Sequence, residues 1–336
     1  MMPMSAELWT EKYRSKTLDD VVNHAEIVSR LKKFVEDKNL PHLLFVGPAG
    51  VGKTTAVLAL AQDLYGSEYM NHILELNASD ERGINVIREK VKLFARTAPI
   101  QSGVSFKILI MDEADSLTAA AQHALRRTME RYTKTCRFCL IGNYSESIIE
   151  PIQSRCAVFR FAHLREKDIR ERIKHIADLE HVKLLDTGLD ALIESSSGDL
   201  RKGINILQTA AAAKGGYVDE EVVLSVLGYV SPKEVREMIL LSLKGRFLEA
   251  REILRRLLLE EGLAGADLVK QIYSEVLRLQ IPDVWKVRLS ETIGEIDYRL
   301  TQGGNVEIQL GALLAKLALV GEEMGQSNEN RGTSLD

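Results

Sequence analysis

The stretch GPAGVGKT, Gly47 to Thr54, lies between an apolar run, HLLFV, and a helical pattern, TTAVLALAQDLYG. It fits G-x-x-x-x-G-K-[ST], in which glycines let the backbone wrap an anion. Successive N–H groups and the N-terminus of the following helix then face the same phosphate. A strand–loop–helix unit of this kind belongs to a parallel α/β sheet that binds ligands at the carboxyl edge of its strands, so the motif constrains fold and chemistry together. Gly47, Pro48, Ala49, Gly50, Val51 and Gly52 form the cradle, and Lys53, Thr54 and Thr55 open the helix. Lys53 suits the β- and γ-phosphates of a nucleoside triphosphate, and the Thr54 hydroxyl suits Mg2+.

Four further runs, HILELN, FKILIMDE, RFCLIGN and AVFRF, are apolar and too short for buried helices. Helical patterns separate them, which predicts a parallel sheet with helices on both faces. The third strand ends in Asp112 and Glu113, so two carboxylates emerge at the ligand edge. Asp112 suits the metal through a water, and Glu113 suits the polarisation of an attacking water. RFCLIG ends in Asn143, whose amide either holds that water or the γ-phosphate or simply ends a strand. Arg201 in SSSGDLRKG falls just inside a helix capped by Asp199 or Ser197, and on spacing alone it reads as a solvated side chain. Arg155 in EPIQSRC has no carboxylate partner in its own segment apart from the glutamate that opens it. It reads either as a surface arginine or as positive charge offered in trans to a γ-phosphate.

Beyond about residue 163 the strand-like runs stop and helical spacing takes over, broken by Gly and Ser. Ser231-Pro232 marks a helix start and a boundary near residue 229. The expected organisation is an α/β domain over 1–162, a helical domain over 163–228, a second helical domain over 229–324 and a polar, disordered tail over 325–336. With 336 residues, two or three cores are expected. Lys+Arg 44 against Asp+Glu 48 leaves a net charge of -4, so any contact with nucleic acid must use a local basic face. Three cysteines are too few for a disulfide framework, and the CxxC of Cys136 and Cys139 lacks the second pair of a structural zinc site. The N-terminus has no apolar signal-peptide core, and LGALLAKLALVG is too short to span a bilayer, so a cytoplasmic protein with no membrane partner is expected.

LWTEKYRSKTLDDVV, ELNASDERGI, KLFARTAPI, DEADSLTAAAQHALRRTME, NYSESIIEPIQSRC and GDLRKGINILQ, together with the phosphate loop, resemble the successive motifs of clamp-loader small subunits. The archaeal replication factor C small subunits, AAA+ ATPases, are the nearest likeness, and it runs from about Leu8 to about Val320. The resemblance implies a P-loop AAA+ module, an all-α lid and an all-α C-terminal collar. It implies Mg-ATP as cofactor, and other small subunits, a large subunit, a sliding clamp and primer–template DNA as partners, usually in a pentamer. Thr10 and Arg14 would contact the nucleotide. Asn143 takes the sensor-1 position, Arg201 the sensor-2 position, and Arg155 that of the trans arginine finger. Arg82 and Arg88 are the candidates for DNA phosphates, against a reading as solvated helix charges. Ala49 and Val51 depart from the usual loop, but backbone N–H groups do the cradling. Two alternatives remain. A DEAD-box helicase, suggested by DEAD at 112–115, requires a second RecA-like domain. An assembly subunit that holds ATP without hydrolysing it tends to lose Lys53 or Glu113.

Overall fold

The computed structural model describes residues 7–80, 83–97, 103–228, 232–260 and 262–332, with the side chains of residues 232 and 326–332 left aside. Five strands, β1 His42–Val46, β2 Ile73–Asn77, β3 Lys107–Asp112, β4 Cys136–Gly142 and β5 Cys156–Arg160, coincide with the five apolar runs. They form one sheet in the order β2-β3-β4-β1-β5. Every pairing is parallel, with Val46 opposite Gly142 and Met111 opposite Leu140. β1 is buried along its whole length and β3 up to Met111, as strands covered on both faces must be.

The helices of this part are α1 Trp9–Lys12, α2 Ala25–Glu36, α3 Lys53–Tyr65, α4 Ile84–Val86, α5 Lys92–Arg96, α6 Ala119–Arg131 and α7 Glu150–Gln153. A π-turn, Ile87–Val91, joins α4 to α5. One face of the sheet packs Leu44, Leu109, Phe138 and Leu140 against Leu125 and Met129 of α6 and Ile87 and Val91 of the π-turn. Then follow α8 Glu166–Leu179, α9 Asp186–Ser196 and α10 Leu200–Ala213. Two two-residue strands, β6 Lys183–Leu184 and β7 Tyr217–Val218, pair in parallel beside them, where only helices were expected. Two residues are too few to give a strand period, so the sequence carries no sign of them.

Contacts group residues 1–218 and 219–336 into two units, which places the helical region up to Val218 with the sheet. The second unit holds α11 Glu220–Val226, α12 Pro232–Leu243, α13 Phe247–Leu259, α14 Gly265–Arg278, α15 Asp283–Thr301 and α16 Val306–Gly332. Its core joins Met238, Leu254, Ile272, Leu289 and Leu314 from five of these helices. A Cβ on Gly321 would lie 1.9 Å from the Leu243 carbonyl oxygen, so α16 and the end of α12 approach backbone to backbone. The disordered tail expected from residue 325 is corrected in part: α16 runs on to Gly332. No proline interrupts that stretch, and extending an existing helix adds one bond per residue without a new nucleus.

His42 on β1 is 7% exposed, and its Nδ1 accepts the Phe138 N–H at 3.1 Å. Burial, and secondarily the Arg137 charge, pushes it down to about 4. The unfolded chain therefore takes up a proton that the folded chain refuses. Stability present above the ordinary histidine value of about 6.5 is lost as pH falls toward 4, by about 3 kcal/mol. Denaturant unfolding of the parent and His42→Gln should show the parent losing that much more stability between pH 7 and pH 4. Equal losses would remove His42 from the acid response.

Candidate functional site

The carboxyl ends of β3, β4 and β1 lie side by side, so the residues that follow them meet at one edge. Leaving β1, the loop has positive φ at Gly47 (150°), Gly50 (67°) and Gly52 (96°) before α3 begins at Lys53. Gly50 is fixed twice over. Its φ is left-handed, and an added Cβ would fall 1.7 Å from Asp199 Oδ1. Asp199 caps α10 by accepting the Lys202 N–H at 2.9 Å, and the Leu200 N–H donates to the Gly50 carbonyl at 3.3 Å. The start of α10 thus sits on the phosphate loop, which brings Arg201 to the pocket lining.

Lys53 is only 8% exposed. Its Nζ donates to the carbonyls of Gly47 and Pro48, each at 2.6 Å, and to Asn143 Oδ1 at 3.1 Å. Burial pushes its ammonium below the ordinary lysine value, and the carboxylates of Asp112 and Asp115 pull part of that shift back. The Thr54 hydroxyl donates to Asp112 Oδ2 at 2.8 Å. Asp112 Oδ1 accepts the Glu113 N–H at 2.9 Å, and Glu113 holds a left-handed φ of 52°. Such a conformation in a residue with a long side chain costs of order 1–3 kcal/mol and collects at functional sites. Asp115, which the sequence presented only as the last letter of DEAD, accepts the N–H groups of Asn143 at 2.8 Å and Tyr144 at 3.2 Å. It fixes the backbone that carries the Asn143 amide.

The Thr54 hydroxyl and the Asp112 carboxylate offer hard oxygen donors side by side, a fit for Mg2+ completed by phosphate and water. Among the described residues no group of three or more His, Cys, Asp or Glu could hold a metal by itself. Cys136 and Cys139 are buried on β4, and burial pushes the Cys136 thiol up to about 12, so they pack as small apolar groups.

Thr10 and Arg14 line the same pocket as the loop, Asp112, Glu113, Asn143 and Arg201. So do Val22, Leu164, Arg172 and Ile204, none of which the sequence singled out. Arg172 stands in REKDIRERIKH among other charged residues, and nothing in that pattern marks it. Arg155 does not line the pocket. It follows α7, with a 37% exposed side chain whose Nη2 meets Glu130 Oε1 at 2.6 Å, and its Nη1 donates to the Pro151 carbonyl at 2.6 Å. Its carboxylate partner comes from α6 rather than from its own segment. Arg88 does not line that pocket either, but a groove with Lys92, His123, Arg127 and Arg131. Arg82 lies outside the described residues.

Residues 43–164 match the ATPase family associated with various cellular activities (AAA), and residues 230–316 match the replication factor C C-terminal domain. The replication factor C small subunit of Sulfurisphaera tokodaii is 56% identical over 94% of this chain and 96% of that protein. The chain belongs to the replication factor C small subunit family. The Archaeoglobus fulgidus member is 52% identical over 94% of this chain and 99% of its own length. The RuvB Holliday junction branch migration motor of Thermotoga maritima is similar in fold, with a TM-score of 0.52 at 19% identity over 79% of this chain and 91% of that one. As a replication factor C small subunit with an AAA domain, the chain is a nucleotide-binding ATPase and a subunit of a multi-subunit clamp loader. Among the described residues no helix is long and apolar enough to cross a membrane.

Proposed function

We propose that this chain binds Mg-ATP at the 47–55 loop and hydrolyses it to drive the loading of a sliding clamp onto primer–template DNA in replication. The observation that carries this reading is the meeting of Lys53, Asn143, Arg201 and the Thr54–Asp112 pair on one pocket. Lys53, already held by three acceptors at 3.1 Å or less, exchanges carbonyl partners for β- and γ-phosphate oxygens. Thr54 and Asp112 would hold Mg2+, which when bound would neutralise phosphate charge. Glu113 accepts the proton of the attacking water, Asn143 orients that water, and Arg201 reaches the phosphates from α10. Thr10 and Arg14 close the other side. Arg155 serves the pocket of a neighbouring subunit.

The partners are further small subunits and a large subunit, as a cytoplasmic pentamer. Arg88 belongs to a basic groove with Lys92, Arg127 and Arg131, which supports contact with DNA phosphates that is sequence-independent and weakened by salt. Single-turnover hydrolysis in the assembled complex separates this reading from an assembly subunit that only holds ATP. The expected result is phosphate release at this chain's site, abolished by Lys53→Ala. A complex that forms and binds ATP without turnover at this site would favour the assembly role.

A further inference from the structure

The first described residues are tied to the helical region rather than to the sheet. Trp9 is 2% exposed, and its N–H donates to Gln208 Oε1 on α10 at 3.0 Å. Gln208 Nε2 in turn donates to the Glu7 carbonyl at 3.2 Å. Three and four residues after Trp9, the Lys12 ammonium and the Tyr13 hydroxyl both donate to Glu180 Oε1, each at 2.7 Å, at the end of α8. Arg172, half-buried on α8, donates from Nη2 to the Tyr13 carbonyl at 2.6 Å. Among the described residues, the hydrogen bonds leaving 7–14 end on α8, its cap and α10.

This segment nevertheless lines the pocket through Thr10, Tyr13 and Arg14. The same α10 that holds Trp9 starts on Gly50 of the phosphate loop and presents Arg201 and Ile204. One wall of the site is therefore a strap whose position is dictated by the lid. A strap held at three points spends little conformational entropy when a ligand binds it, whereas a loosened strap must be ordered by the ligand at the expense of affinity.

We propose that residues 7–14 act as part of the lid, and that Arg172 and Glu180 are positioning residues that set the affinity for the adenine nucleotide through this strap. The inference rests on the pocket being the nucleotide site. Glu180 is the discriminating position, because its side chain holds Tyr13 and Lys12 without lining the pocket. Arg172 lines the pocket, so its own loss alone would not separate positioning from contact.

Mg-ADP titration by calorimetry of the full-length parent, Glu180→Ala, Glu180→Gln, Arg172→Ala and Arg172→Lys tests the proposal. A single donor reaches a carbonyl, so Arg172→Lys should stay within about threefold of the parent. Arg172→Ala and Glu180→Ala should weaken binding about tenfold, equivalent to about 1.4 kcal/mol. Glu180→Gln retains a partner for Tyr13 and should fall between, and it stands in if Glu180→Ala fails to fold. In the assembled complex the Glu180 variants should raise KM for ATP while kcat at saturation stays at the parental value. Parental affinity in a folded Glu180→Ala, or Arg172→Lys as weak as Arg172→Ala, overturns the proposal. A parent that binds no Mg-ADP would instead defeat the nucleotide reading beneath it.

Discussion

Glu113→Gln should leave Mg-ADP affinity within about twofold of the parent and slow hydrolysis in the assembled complex by about 100- to 10,000-fold, the usual range for a lost general base. Glu113 emerges at the end of β3 in a left-handed conformation, φ 52°, with its N–H bound to Asp112 Oδ1 at 2.9 Å. Glutamine keeps the size and the backbone bond, so Asp112 and Thr54 hold their geometry while the carboxylate is lost. In the proposed function nucleotide binding relies on Lys53 and the loop N–H groups, which the substitution does not touch. The pairing of intact binding with failed turnover is the signature, read from calorimetry and single-turnover phosphate release. Unchanged turnover would remove Glu113 from the role of base.

Arg155→Ala should also leave the chain's own nucleotide affinity near the parental value, because Arg155 lies outside the pocket lining. Hydrolysis at the neighbouring site should fall by about 1,000- to 100,000-fold, the contribution arginine fingers make to phosphoryl transfer. Folding should barely notice. The Arg155–Glu130 ion pair joins side chains that are 37% and 42% exposed, and exposed pairs contribute about 0–1 kcal/mol. A large loss of thermal stability in Arg155→Ala would make the residue structural and remove the reason for assigning it to a neighbour. An unchanged rate in an intact complex would do the same from the other side.

All five strands of the sheet were legible because burial on both faces leaves continuous apolar runs, as in His42–Val46 and Lys107–Met111. The positions of Lys53, Thr54, Asp112 and Asn143 were legible because Asp112 ends β3, Asn143 follows β4, and Lys53 and Thr54 open α3 just after the loop that leaves β1. Asp115 and Arg172 were not, and Asp199 was legible as a helix cap but not as a neighbour of the phosphate loop. Each is defined by a backbone group that tertiary structure brings to it: the Asn143 N–H, the Gly50 loop and the Tyr13 carbonyl. Spacing along a helix cannot reveal such partners. Glu130 was missed for the same reason, since α6 and the end of α7 meet only in the folded chain. β6 and β7 are shorter than any period, and the continuation of α16 to Gly332 runs through polar residues that read equally well as tail.

The most direct test of the account mixes two variants, each expected to be inactive alone, in the assembled complex. Lys53→Ala should have a dead pocket and an intact Arg155, while Arg155→Ala should have an intact pocket and no arginine to offer. If the site of one chain is completed by Arg155 of its neighbour, some mixed interfaces pair an intact pocket with an intact arginine. ATP hydrolysis should then rise above that of either variant alone. Mixed complexes that form but never exceed the separate variants would contradict a trans role for Arg155.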